Sequence, residues 1–168
     1  MTAEQFWLNF LYSILATVTG GGILTLLFFW LREVIFPLPD VTGRWYFEMQ
    51  TVNSAYNPYK DMVLRYVAML WREGSRIEGT VEKVYENSST GEREYEGKNR
   101  TRGLVVGYIE KNYFSKDRIV LHVTEDGHGR ESTNFYELTL SSKEKMTGCF
   151  SSMVAKQDGS VTWQRNEF

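Results

Sequence analysis

From Met62 to Glu86 the chain reads MVLRYVAMLWREGSRIEGTVEKVYE, and from Gly43 to Met49 it reads GRWYFEM. Both stretches alternate with period two, the repeat of a strand whose successive side chains point to opposite faces. In the shorter stretch Trp45, Phe47 and Met49 share one face, against Arg44, Tyr46 and Glu48. In the longer one Met62, Leu64, Tyr66, Ala68 and Leu70 oppose Val63, Arg65, Val67, Met69 and Trp71, and both faces are apolar enough to be covered. Glu73-Gly74-Ser75 is a tight turn, where glycine relieves the steric cost of positive φ. Beyond it Ile77, Gly79, Val81, Lys83 and Tyr85 read inward, with Glu78, Thr80, Glu82 and Glu86 outward.

Working outward, the same pattern recurs. Arg93 to Gly97 runs irregularly into a strand over Arg102–Glu110, and further strands fit Arg118–Thr124, Thr133–Leu140, Met146–Met153 and Val161–Arg165. Asn87 to Gly91, Ser115-Lys116-Asp117, Gly127-His128-Gly129 and Asp158-Gly159 are the turns between them. About eight short-linked antiparallel strands predict an all-β fold, a small up-and-down barrel without exposed edges. A two-sheet sandwich is the competing architecture. Glycines inside strands (Gly79, Gly103, Gly107, Gly148) suit the sharp coiling of a small barrel. Gly43-x-Trp45 resembles the opening of lipocalin barrels, in which a Trp plugs one end and a late Arg packs on it. Arg165 would be that Arg.

Ahead of the barrel, Phe6 to Leu31 carries no charged side chain. The run is about 26 residues, roughly 39 Å as a helix at about 1.5 Å per residue. Since about 20 apolar residues cross a bilayer, one tilted helix fits. A hairpin broken at Gly20-Gly21-Gly22 would be strained, its halves too short to cross. Trp7 and Tyr12 near one end and Phe28, Phe29 and Trp30 near the other resemble interfacial belts. A secretory signal is the alternative, but the flank before the run has Glu4 and no Lys or Arg. Arg32 after the run favours a cytoplasmic carboxyl side, and the single cysteine, Cys149, suits a reducing compartment. The chain thus divides into a membrane segment over 1–36, a linker over 37–42 and a soluble barrel over 43–168.

The 19 basic and 21 acidic residues nearly cancel and form no basic stripe, which excludes DNA or RNA polymers as partners. His122, His128 and Cys149 share no metal-ligand spacing, and no phosphate-binding loop, nucleophile elbow or dinucleotide fingerprint occurs. The even spacing of Glu82, Glu86, Glu92, Glu94 and Glu96 marks a solvated outer face. The chain therefore reads as a binder with no cofactor, metal or catalytic set.

Cations interleaved with aromatics mark where it would bind. Tyr56 and Tyr59 flank Pro58 in the loop between the first two strands, at a barrel mouth, with Lys60 following. Arg65 and Trp71 share a strand face, Lys83 reads inward, and Arg100, Arg102 and Arg130 stand near strand ends. Aromatic faces stack on bases and cations hold phosphates, so Tyr56, Tyr59, Arg65, Trp71, Lys83 and Arg102 would suit a small anionic nucleotide. Tyr and Trp are also ordinary strand residues, and charges at strand ends are usually solvated.

A hydrophobic amino terminus followed directly by a minimal eight-stranded barrel resembles the transmembrane β-barrel effectors of bacterial cyclic-oligonucleotide-based antiphage signalling (CBASS). Gly43-Arg44-Trp45, Tyr56-Asn57-Pro58-Tyr59, Ile77 to Lys83 and Trp163-Gln164-Arg165 carry the resemblance. It implies that the barrel binds a cyclic dinucleotide in the cytosol. Ligand-induced homo-oligomers would then cluster their membrane segments and disrupt the inner membrane. Gly20, Gly21 and Gly22 would be the packing face of those segments, since small residues allow close helix approach in lipid. Members of that family are often described with two membrane segments, whereas this chain has one long run or a helix broken at the glycines. Two other readings are a membrane-anchored lipocalin-like carrier of an apolar ligand and a scaffold whose filled barrel has no pocket.

Overall fold

The computed structural model of the chain describes residues 3–127 and 130–168. It has two compact units, Met1–Leu38 and Pro39–Phe168. In the first, α1 (Ala3–Trp30) is one unbroken α-helix that ends in a π-type turn over Leu31–Ile35. The three glycines lie inside it without a break, which resolves the choice between one helix and a hairpin. No residue of α1 is buried, and by length and composition the helix can cross a membrane. Two of its hydroxyls are satisfied locally: Thr17 Oγ1 donates to the Ser13 carbonyl and Thr25 Oγ1 to that of Gly21, each at 2.8 Å. Such bonds leave fewer polar groups seeking water.

The second unit holds nine strands: β1 (Gly43–Asn53), β2 (Val63–Glu73), β3 (Arg76–Ser88), β4 (Gly91–Glu94), β5 (Arg102–Glu110), β6 (Arg118–Gly127), β7 (Arg130–Ser142), β8 (Lys145–Ser152) and β9 (Gln157–Gln164). All pairings are antiparallel; they join chain neighbours except that β3 pairs with β5 past β4 and that β9 returns to β1. The β2–β3 pairing closes the ring, so the fold is an up-and-down, lipocalin-like barrel of eight strands. The ninth strand, β4, explains the irregularity read at Arg93 to Gly97. It continues along β3 the line that β5 leaves at Arg102, while the intervening residues loop out and are tied back by Arg100 to the Tyr95 carbonyl and Glu82.

Inward alternation is as the sequence predicts for β1 and β2: Trp45, Phe47 and Met49 are buried, with Leu64, Tyr66, Ala68 and Leu70 facing them. Phe47 stacks between Tyr66 (4.7 Å) and Trp163 (4.0 Å), and Tyr136 meets Phe47 and Trp163 edge-on. This aromatic column fills the middle of the barrel. At the inward glycines Gly107, Gly148 and Gly159 a neighbouring strand's carbonyl oxygen stands where a Cβ would be, so only glycine allows the strands to coil this tightly. The other face of β2 is not covered: Met69 and Trp71 are exposed.

One end of the barrel is shut. Trp45 Nε1 donates to the Val41 carbonyl at 2.8 Å, and the Arg165 guanidinium lies 3.9 Å over the Trp45 ring. Arg165 also donates to the Arg44 and Thr42 carbonyls, each at 2.9 Å. This is the Trp–Arg closure expected of a lipocalin-like opening. Residues 39–42 are therefore no free linker. Val41 is fully buried and the Asp40 carboxylate accepts the Thr42 amide, so the barrel unit begins at Pro39 rather than at 43.

Candidate ligand-binding mouth

The strand ends opposite Trp45 frame an open cup of about 200 Å³. Tyr66 of the aromatic column lines it with Met49, Met62 and Leu64, and polar groups complete the wall. Glu125, one step beyond Ile119, Leu121 and Val123 on the inward face of β6, is only 5% exposed. Its carboxylate accepts from Asn134 Nδ2 at 2.9 Å and from the Tyr66 hydroxyl at 3.2 Å. Burial pushes the Glu125 carboxyl above its ordinary value, against the pull of the Tyr66 bond, the Lys83 charge and the Asn134 bond. Burial and the Glu125 charge likewise push the Tyr66 hydroxyl well up, so it stays a donor. Asn134 turns its amide nitrogen to Glu125, which leaves its Oδ1 without a protein donor among the described residues.

Across the cup, Lys83 Nζ pairs with Glu86 Oε2 at 2.9 Å, and the Tyr95 hydroxyl donates to the same oxygen at 3.0 Å. The ammonium also lies 4.8 Å over the Tyr95 ring. Burial alone would raise the Glu86 carboxyl. The Lys83 bond and charge, the Tyr95 bond and the Arg93 charge outweigh it and hold the group below its ordinary value.

Three loops cap the wall. The β1–β2 loop carries the short helical turn Asn57–Tyr59, where Tyr56 and Tyr59 meet edge-on at 5.1 Å and Tyr59 lines the cup. The β8–β9 loop carries Ala155 (φ 54°) and Lys156 (φ 46°), a left-handed pair costly for residues with a side chain. It is held by the Ala55 amide donating to the Ala155 carbonyl at 2.8 Å. It is held again by Gln157, which takes the Thr51 hydroxyl and donates to the Val154 carbonyl. Lys60 and Lys156 are exposed in these two loops and have no ion-pair partner among the described residues. The third, β4–β5, carries Tyr95, whose hydroxyl reaches Glu86.

Of the six expected ligand residues, Tyr56, Tyr59 and Lys83 come together at the mouth. Arg65, Trp71 and Arg102 lie on the outer wall instead. Arg65 pairs with Glu48 at 2.7 Å beneath the Tyr85 and Phe168 rings, and Arg102 pairs with Glu82 at 3.2 Å. Trp71 sits toward the shut end, in a cross-strand row that runs through Glu78, Val106 and His122 to Phe135. Two faces are corrected as well. Val84 is an extra residue on β3, because Arg65 pairs with Tyr85 while Tyr66 pairs with Lys83. This bulge shifts the alternation by one, so Tyr85 faces out and Glu86 faces in, the reverse of the expectation. Among the described residues no group of His, Cys, Asp and Glu is placed to hold a metal. His128 lies outside those residues, and Arg130 begins β7.

Sequence reasoning missed Glu125, Asn134 and Gln157. Carrying the β6 alternation one step past Val123 reaches Glu125, and stepping back from Leu138 and Tyr136 reaches Asn134. A polar residue ending an otherwise apolar inward row is the signal for a wet mouth.

No family model matches the sequence, and no curated protein matches it. Solved structures do match in shape. A redesigned β-barrel, mFAP0, bound to DFHBI superposes with a TM-score of 0.52 at 13% identity, over 74% of this chain and 98% of that one. A second redesigned barrel with the same compound, mFAP1, gives 0.53 at 13% identity, over 74% and 94%. A de novo designed fluorescence-activating β-barrel gives 0.50 at 15% identity, over 74% and 93%. At these identities the likeness is one of fold: residues beyond α1 form a small closed β-barrel.

Proposed function

We propose that this chain is a membrane-anchored effector of bacterial antiphage defence whose cytosolic barrel binds a cyclic dinucleotide at its mouth. Binding drives self-association, the helices cluster through Gly20, Gly21 and Gly22, and the inner membrane is breached. The observation that carries this reading is a barrel whose described interior is packed with aromatics and opens at one end in a partly polar cup, on the same chain as a wholly exposed apolar helix. Two features support its parts. The mouth joins buried hydrogen-bonding groups to the free cations Lys60 and Lys156, the pairing a nucleotide needs. On the outer wall Met69, Trp71, Leu104, Val106, Tyr108 and Phe135 are all exposed, an apolar area that favours self-association. A ligand drives assembly only through higher affinity for the assembled state, so the mouth must be completed or stiffened there.

The carrier reading has less support. An apolar cargo needs a dry cavity, and among the described residues the cup sets Glu125, Asn134, Lys83 and Glu86 beside its apolar lining of Met49, Met62 and Leu64. The deciding experiment titrates the full chain in lipid nanodiscs or detergent with a panel of cyclic dinucleotides and follows its size by sedimentation velocity. Binding with growth in size is expected. If no member of the panel binds or changes the association state, the reading is wrong.

A further inference from the structure

We infer that the cup is a base-reading pocket that takes a single nucleobase, edge first, and prefers guanine. The inference rests on the nucleotide reading above and says which part of the ligand enters. Pockets that enclose a drug-sized ligand measure about 300–1,000 Å³. At about 200 Å³ the cup holds one ring system and not a whole cyclic dinucleotide. Charge agrees with size. The cup contains two carboxyl groups, Glu86 and Glu125, and one ammonium, Lys83, which is already engaged. A phosphate would meet carboxylates there without a free cation, whereas Lys60 and Lys156 wait outside in the loops.

The spare hydrogen-bonding capacity selects the base. Each Glu125 oxygen accepts one bond from the protein and has a second lone pair left. Asn134 Oδ1 adds another acceptor beside them; the Tyr66 hydroxyl is spent on Glu125, while Asn134 Nδ2 and Lys83 Nζ each give one N–H to a carboxylate. The pocket therefore asks for a ligand edge with adjacent donors. Guanine presents two, N1–H and the 2-amino group, in line with a carboxylate. Adenine and cytosine each set one amino donor beside an acceptor, and uracil sets one N–H between two carbonyls. An acceptor facing Glu125 would leave two lone pairs opposed, so those bases lose more than a bond. Tyr59 on the wall supplies a face for stacking.

The test compares cyclic di-GMP with cyclic di-AMP, and GMP with AMP, by calorimetry on the full chain in detergent. Cyclic di-GMP is expected to bind tighter by on the order of tenfold to a hundredfold. Glu125→Gln, nearly isosteric, should erase the preference, weakening cyclic di-GMP and, by removing the opposed lone pairs, tightening cyclic di-AMP. Lys60→Ala with Lys156→Ala should weaken both cyclic ligands alike. Equal wild-type affinities overturn the base-reading assignment whether or not the variant folds, and so does a preference that survives in folded Glu125→Gln. GMP preferred over AMP with neither cyclic dinucleotide bound would sink the second-messenger reading and leave base reading standing. Binding of none of the four overturns both.

Discussion

At the scale of single residues, two tryptophans of the same barrel should behave differently. Trp45 donates to the Val41 carbonyl and carries Arg165 on its face. Trp163 is fully buried against Phe47, yet its Nε1 has no hydrogen-bond partner among the described residues. Replacing Trp45 by Phe strands a buried carbonyl, whereas replacing Trp163 by Phe removes an unpaired donor. We expect Trp45→Phe to cost more than Trp163→Phe by about 1 kcal/mol or more in urea unfolding. Glu125 yields a pH signature. Its folded-state carboxyl titrates above the ordinary value of 4.5, so its favourable share of stability is complete below that value and is lost as pH rises through the folded one. Asp40 and Glu86, held low, act in the opposite sense but are common to wild type and variant. Glu125→Gln should therefore gain stability relative to wild type as pH rises from acid to neutrality, read from thermal unfolding across that range.

Among the elements, most of the barrel was legible and one strand was not. Period-two alternation placed β1, β2 and the first half of β3, because a strand with one face in a core cannot slip by one residue without exposing its apolar set. It failed at Val84. The residues Lys83-Val84-Tyr85-Glu86 look the same on paper whether the strand is regular or bulged, and only pairing with Arg65 and Tyr66 across the ladder decides. That one extra residue is why Glu86, read as solvated, became part of the mouth, and why Tyr85 left it. The interior glycines were legible as strain relief, and their role is testable. At Gly148 a Cβ would strike the Glu137 carbonyl, a backbone atom that cannot step aside. Gly148→Ala should destabilise the barrel by about 3 kcal/mol or more, measured by denaturant unfolding.

For the whole molecule, composition was enough to separate an apolar helix from a β-rich unit, but not to place the boundary. Val41 and Asp40 looked like linker because three-residue stretches carry no period; only contact with Trp45 and Thr42 makes them part of the barrel. Gly20, Gly21 and Gly22 sit in a continuous helix with open space around them, so bulk there is tolerated within the chain itself. Gly21→Leu should leave helix content and barrel stability unchanged while weakening helix–helix association in lipid, seen as reduced ligand-driven assembly and toxicity in cells. Unchanged toxicity would mean that these glycines make no contact between copies. The shut end at Trp45 has a kinetic corollary. A guest has one doorway for arrival and departure, so its dwell time belongs to the rim formed by Tyr59, Lys156 and their neighbours. Loosening that rim, for instance by Gln157→Ala, which removes the bonds to Thr51 and Val154, should shorten residence more than it slows capture. Under the proposed function the barrel would act as a timer, with the length of the response it triggers written in two surface loops.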